Sequence, residues 1–187
     1  ILNADLSALA LQLLQWGVDS PTDLQWLDPP PNAAYTQACE LLQALEAVEQ
    51  LEPQPDKSGW QITPHGEAIS SLGANPRLAH MMIRGAQLGV AEVACNIAAL
   101  LTERDPLRSD QVDISLRLRQ ISNGDKAFKR VKQQARQFQS QIKRYMRSQQ
   151  NNNDGNAIEY WPGILLALAY PDRIAQQRQS NSPHYVL

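Results

Sequence analysis

The stretch "AVEQLEPQPDKSGWQIT", residues 47–63, decides the fold. Two β-prone pieces, Val48 to Leu51 and Trp60 to Thr63, lie on either side of a loop rich in Pro, Asp and Gly. That punctuation predicts a hairpin, because Pro and Gly set the turn's backbone angles and stop either piece from continuing as a helix.

Upstream of the hairpin the chain reads as three short helices. Leu6, Leu9, Leu13 and Trp16 recur at helical spacing after a candidate cap at Asn3 or Asp5, and Gly17 is placed to end the helix. In "DSPTDLQWLDPPP", residues 19–31, Ser20 caps a short helix with Pro21 at its first position, and Pro29 to Pro31 keep it from continuing. Asn32 starts a third helix through Ala38, Leu41, Leu42 and Leu45. Three helices followed by a two-stranded wing predict a winged-helix domain over residues 1–66.

Downstream, the sequence is helical almost throughout. Pro64 opens a short helix to Leu72, then Asn75 caps and Pro76 initiates a helix whose apolar stripe is Leu78, Met81, Met82 and Leu88. "VAEVACNIAALLTE", residues 90–103, is so evenly apolar and rich in Ala that it predicts the buried centre of a bundle. A helix through Ile114, Leu116, Leu118 and Ile121 ends at Asn123-Gly124, and a long basic helix follows. "NNNDGN", residues 151–156, is a polar break, and "YWPGILLALAYPDRIAQQRQ" carries a last apolar helix restarted by Pro162. The expectation is a mainly α chain: a winged helix with a β-hairpin wing, then a helical bundle over 67–180. The closing "SPHYVL" reads as the first residues of a strand with nothing left to pair with, so 181–187 are expected to begin a truncated following domain.

With 187 residues, 43% of them hydrophobic, the chain can bury one sizeable core or two small ones. No apolar run approaches the length of a membrane span and no basic leader precedes a cleavage site, so a cytoplasmic location away from membranes is expected. The two cysteines, Cys39 and Cys95, each fall in an apolar helical pattern and read as reduced, buried thiols. The formal net charge of −2 conceals a steep asymmetry: −9 over residues 1–103, +8 over 104–147 and −1 over 148–187. A field clustered in this way attracts a polyanion whatever the total.

That charge sits in "DKAFKRVKQQARQFQSQIKRYMRS", residues 125–148. Apolar residues at 128, 131, 135, 138, 142 and 145 alternate steps of three and four, forming one seam. Lys126, Lys129, Arg130, Lys132, Arg136, Lys143, Arg144 and Arg147 take the other sides. At about 1.5 Å per residue the segment spans roughly 36 Å, enough to lie along several phosphates. A merely solvated helix face mixes signs, but this one has no acid after Asp125, while Gln133, Gln134, Gln137, Gln139 and Gln141 add neutral donors and acceptors. Arg117 and Arg119 on the preceding helix complete the candidate nucleic-acid-binding set, although their spacing puts them on different flanks.

Catalytic patterns are absent. His65, His80 and His184 are scattered with no metal-binding spacing, and neither a G-x-S-x-G turn nor a G-x-x-x-x-G-K-[ST] loop occurs, so no catalytic residue, metal or cofactor is expected in this chain. Trp16, Trp26, Trp60 and Trp161 lie in or beside apolar patterns and are expected to pack in the core, with Trp60 in the wing the one to test for base stacking.

Several segments resemble the region that follows the motor in DEAH-box RNA helicases. "ILNADLSALALQLLQWGV" is similar to the first winged-helix segment after the second RecA-like domain, "LQWLDPPP" to its hydrophobic-x-Asp-Pro-Pro turn, and "ACELLQALEAVE" to its third helix. "WQITPHGEAISSLGANPRLAHMMI" resembles the wing strand and the first helix of the helicase-associated, or ratchet, domain; Ile62-Thr63 stand for the family's Leu-Thr-x-x-Gly, and Asn75-Pro76-Arg77-Leu78 for its Asp-Pro-Arg-Leu. "LLALAYPDRIAQQR", Leu165 to Arg178, is similar to a signature of the bacterial HrpB-type subgroup. Glu46 departs from the family's Gly in Leu-Gly-Ala, and Asn75 from its Asp.

The resemblance implies a parent that couples ATP hydrolysis, with Mg, to unwinding or translocation, its accessory domains closing one side of the nucleic-acid channel. This chain has no P-loop motor and is not expected to be catalytic alone. The expected function is an accessory grip on single-stranded RNA or DNA through phosphates, bracing the motor domains of the same chain. The rivals are a protein-interaction module whose basic helix docks an acidic partner, and a free-standing winged-helix regulator. The regulator is disfavoured because residues 32–60 hold only Lys57 as a base.

Overall fold

The computed structural model describes residues 5–18, 20–52, 59–107, 110–149, 161–177 and 185–186. Asn3, the hairpin turn at 53–58, the 151–156 break and most of 181–187 lie outside them. By contacts the chain forms two compact units, one from residues 1–79 with 170–187 and one from 80–169. The sequence places a boundary at 66/67; by contacts the first unit runs on to Ala79, inside a continuous helix, and takes in the C-terminal segment.

In the first unit, α1 (Ser7–Gln15) is followed by a single 3₁₀ turn, Pro21–Asp23, and by α2 (Asn32–Ala44). Ser20 and Asp23 form a capping box around that turn, which ends well before Pro29. The hairpin exists as expected: β1 (Val48–Gln50) pairs antiparallel with β2 (Trp60–Ile62), with Val48 opposite Ile62 and Gln50 opposite Trp60. α3 (Pro64–Ser71) follows, capped by the Thr63 hydroxyl, which accepts from the Gly66 N–H at 3.0 Å. Ala10, Leu11, Leu13 and Leu14 of α1 pack with Cys39, Leu42, Leu45, Val48 and Ile69 in the core.

Two expectations for α1 change. Its buried face is Ser7, Ala10, Leu11, Leu13 and Leu14, whereas Leu6 and Leu9 are only half-buried. Trp16 lies beyond the last helical residue and is 73% exposed, so it is not a core residue. Leucines on several sides of a short helix leave its register open, and burial settles it. Trp26, Trp60 and Trp161 are half-buried, and the Trp26 indole N–H donates to the Pro21 carbonyl.

Glu46, where the related sequences carry Gly, has φ +56° and is the single non-glycine residue with positive φ among those described. A left-handed residue with a Cβ costs about 1–2 kcal/mol, which accounts for the glycine preference at this helix end. Asn75 keeps the capping function of the Asp it replaces, accepting from the Arg77 N–H at 3.0 Å.

A second meeting of motifs closes this unit. Arg77 donates to both carboxylate oxygens of Asp172, at 2.5 and 2.9 Å, and its guanidinium lies over the Tyr170 ring, 5.1 Å from the centroid. The Arg77 hydrogen bonds hold the Asp172 carboxyl below the usual carboxylate range. The apolar helix ends at Ala169. Pro171 then opens a 3₁₀ turn and β3 (Gln176–Gln177), which pairs antiparallel with β4 (Tyr185–Val186). The closing residues thus form the expected strand, but its partner is present.

The second unit is helical. Beyond α4 (Pro76–Gln87) come α5 (Ala91–Thr102), α6 (Ile114–Ser122), α7 (Lys129–Gln149) and α8 (Trp161–Ala169). α5 is the centre expected of it, packing against α6, α7 and α8 and burying Ala94, Cys95, Ile97, Ala98 and Ala99 completely.

Candidate nucleic-acid interface

α6 ends at Asn123 and Gly124, and Asp125 restarts the chain by accepting from the Ala127 N–H at 2.9 Å. One 3₁₀ turn, Lys126–Phe128, then leads directly into α7. The seam is as predicted: Phe128, Val131, Ala135, Phe138 and Ile142 are buried and Tyr145 half-buried, with α7 packed on α5. Burying this seam fixes the rotation of the helix, and with it the direction of every charged side chain.

Lys126, Lys129, Arg130, Arg136, Lys143, Arg144 and Arg147 are exposed, and Lys132 is half-buried. Among the described residues none of the eight is ion-paired; the ion pairs found are Arg77–Asp172 and Arg117–Asp105. The row from Lys126 to Arg147 covers about 32 Å of helix axis. Of the five glutamines, Gln133 and Gln137 are exposed while Gln134, Gln139 and Gln141 are half-buried, which leaves fewer neutral donors on this face than the sequence implies.

The flanking arginines part company. Arg119 is exposed, but Arg117 is committed elsewhere. Its Nε donates to Asp105 at 2.8 Å, and one terminal nitrogen reaches the Gln111 and Asp113 carbonyls at 2.6 and 3.2 Å. The side chain is 12% exposed and holds the Asp105 carboxyl below its ordinary range, so Arg117 fastens the segment before α6 and is no longer free for phosphate.

Other chemistry finds no footing here. Burial pushes the thiols up, Cys39 to about 11 and Cys95 to about 12, so both stay protonated and unreactive near neutrality. Among the described residues no three of His, Cys, Asp and Glu converge as metal ligands, and none of the helices is long and apolar enough to cross a membrane. These residues do not fit a nucleotide with its metal.

Known proteins share this architecture. The helicase-associated domain (HA2), ratchet-like, matches residues 75–158. The chain is 33% identical over 178 residues to the ATP-dependent RNA helicase HrpB of Escherichia coli (strain K12), covering 95% of this chain and 19% of that protein. A crystal structure of the E. coli DExH-box NTPase HrpB superposes with a TM-score of 0.70 at 30% identity, over 98% of this chain and 20% of that one. The chain belongs to the HrpB-type family of helicase-associated regions. It is also 30% identical over 132 residues to the ATP-dependent RNA helicase DHX29 of Mus musculus, 67% of this chain and 9% of that protein. The chain thus spans about a fifth of the length of the HrpB proteins it matches. Within this helicase-associated region all ten candidate bases, Arg117 to Arg147, lie inside the matched ratchet-like span.

Proposed function

We propose that this helicase-associated region grips single-stranded nucleic acid, RNA or DNA, through its phosphates along α7. The observation that carries the reading is the row of exposed bases with no carboxylate partner among the described residues. A surface of lysines and arginines alone neutralises phosphates and reads no base edges, so binding is non-specific and strongly salt-dependent. In this reading residues 1–66 are a winged-helix bracket, and the parent chain supplies a motor that uses ATP and Mg in the cytoplasm.

The test is fluorescence anisotropy of labelled oligonucleotides of differing base composition across a salt series. Contact with about five phosphates gives a log–log slope of roughly −3 to −4 for a single strand. The slope and the affinity are expected to be the same for every composition. A flat salt response contradicts the reading.

A further inference from the structure

The exposed bases of α7 are not equivalent. Projected at about 100° per residue, Lys129, Lys132, Arg136, Lys143 and Arg147 share one flank, while Lys126, Arg130 and Arg144 lie on the next. Where the α6–α7 turn meets the start of this helix, the surface is concave. The basin holds about 560 Å³; Gly124 and Asp125 line it from the turn, and Lys126, Lys129, Lys132, Gln133 and Arg136 from the helix. Arg130, Lys143, Arg144 and Arg147 take no part in it.

Its construction favours an anion. Gly124 has φ +82°, a left-handed turn that leaves no side chain at this point, and a Cβ built there would stand 4.0 Å from the Lys132 ammonium. Asp125 is the one acid in the lining, and one of its oxygens already caps the Ala127 N–H. Four cations against one carboxylate leave the basin strongly positive. No aromatic residue lines it, so it offers phosphates a counter-charge but bases no stacking surface. Lys126 to Arg136 cover about 15 Å of axis, room for two or three consecutive phosphates.

We infer that this basin is a discrete seat for consecutive phosphates, so that the strand enters one flank of α7 at the α6–α7 turn and does not spread evenly over the helix's exposed face. The inference rests on the reading of α7 as a nucleic-acid contact and deepens it. The ligand class is a run of adjacent phosphodiesters, recognised without regard to base or sugar.

The experiment compares two variants of equal charge change in the 187-residue chain, binding a labelled single strand across a salt series. One carries Lys129→Gln, Lys132→Gln and Arg136→Gln; the other carries Arg130→Gln, Arg144→Gln and Arg147→Gln. Loss of three phosphate contacts lowers the magnitude of the log–log slope by about 2 and weakens binding about a hundredfold at 0.1 M salt. That loss is expected of the first variant, and less than about fivefold, one contact's worth, of the second. Equal losses overturn the seat and leave a diffuse field, whereas no loss in either variant overturns the reading of α7 itself. A third variant, Asp125→Asn, keeps a capping side chain and removes the basin's negative charge. It is expected to tighten binding, a gain that damage to folding does not produce, and an unchanged affinity counts against the seat.

Discussion

Reversing three charges on α7, with Lys129→Glu, Arg130→Glu and Arg136→Glu together, is expected to weaken single-strand binding by at least about a hundredfold at 0.1 M salt. Each phosphate contact with a single strand contributes about 0.7 to the log–log salt slope, so three lost contacts remove about two decades of affinity, and the new carboxylates add repulsion. All three side chains are exposed and none is ion-paired among the described residues. Surface substitutions of this kind change stability by only about 0.5 kcal/mol each, so the thermal unfolding curve is expected to stay close to that of the parent. Anisotropy and circular dichroism on the same preparation separate the two effects. Undiminished affinity in the folded variant removes α7 from the function.

The largest stability effect is expected far from this face, at Gly66. A Cβ there would stand 2.0 Å from the Ala47 carbonyl oxygen and 2.8 Å from Ile62 Cγ1. The carbonyl cannot retreat cheaply, because it accepts from the Thr63 N–H at 3.0 Å, while the Thr63 hydroxyl donates to the Glu46 carbonyl at 2.7 Å and accepts from the Gly66 N–H at 3.0 Å. Gly66 is therefore the point where α3 crosses the end of β1 at backbone distance. Overpacking a core contact usually costs about 1–3 kcal/mol, and a clash with fixed backbone lies at or above the top of that range. Gly66→Val is accordingly expected to destabilise the first unit by about 3 kcal/mol or more, read from denaturant unfolding. Gly163→Ala is the control. Nothing lies within 4 Å of its Cβ position, and replacing a helical glycine with alanine stabilises by up to about 1 kcal/mol. Similar stability for Gly66→Val and the parent would contradict the close approach.

Gly66 also shows what the sequence conveys and what it withholds. The Ile62-Thr63-x-x-Gly66 motif was legible as a resemblance, but its reason, a hydroxyl joining two chain segments and a glycine under a carbonyl, appears only once β1 and α3 are packed. The same holds for Arg77 and Asp172. Each stood in a recognisable motif, yet sequence separation gives no sign that the two side chains meet. Periodicity was dependable where burial was one-sided, as along Phe128 to Ile142, and misled where leucines surround the helix, as in α1.

The charge on α7 was likewise legible from composition and spacing. The loss of Arg117 to a tertiary contact was not, because a nearby acid such as Asp105 reads as one more surface charge until a loop brings it to 2.8 Å. The basin at 124–136 escaped the sequence for a related reason: a concavity depends on how a turn meets a helix, which charge counting does not register.

Photo-cross-linking of the 187-residue chain to a single strand carrying thiolated bases, with the attached peptides mapped by mass spectrometry, tests the central claim most directly. The expected attachments fall between Gly124 and Arg147, concentrated near Lys129 to Arg136. Attachments confined to other segments, with the α7 lysines instead captured by carboxylates of a protein partner, would contradict it.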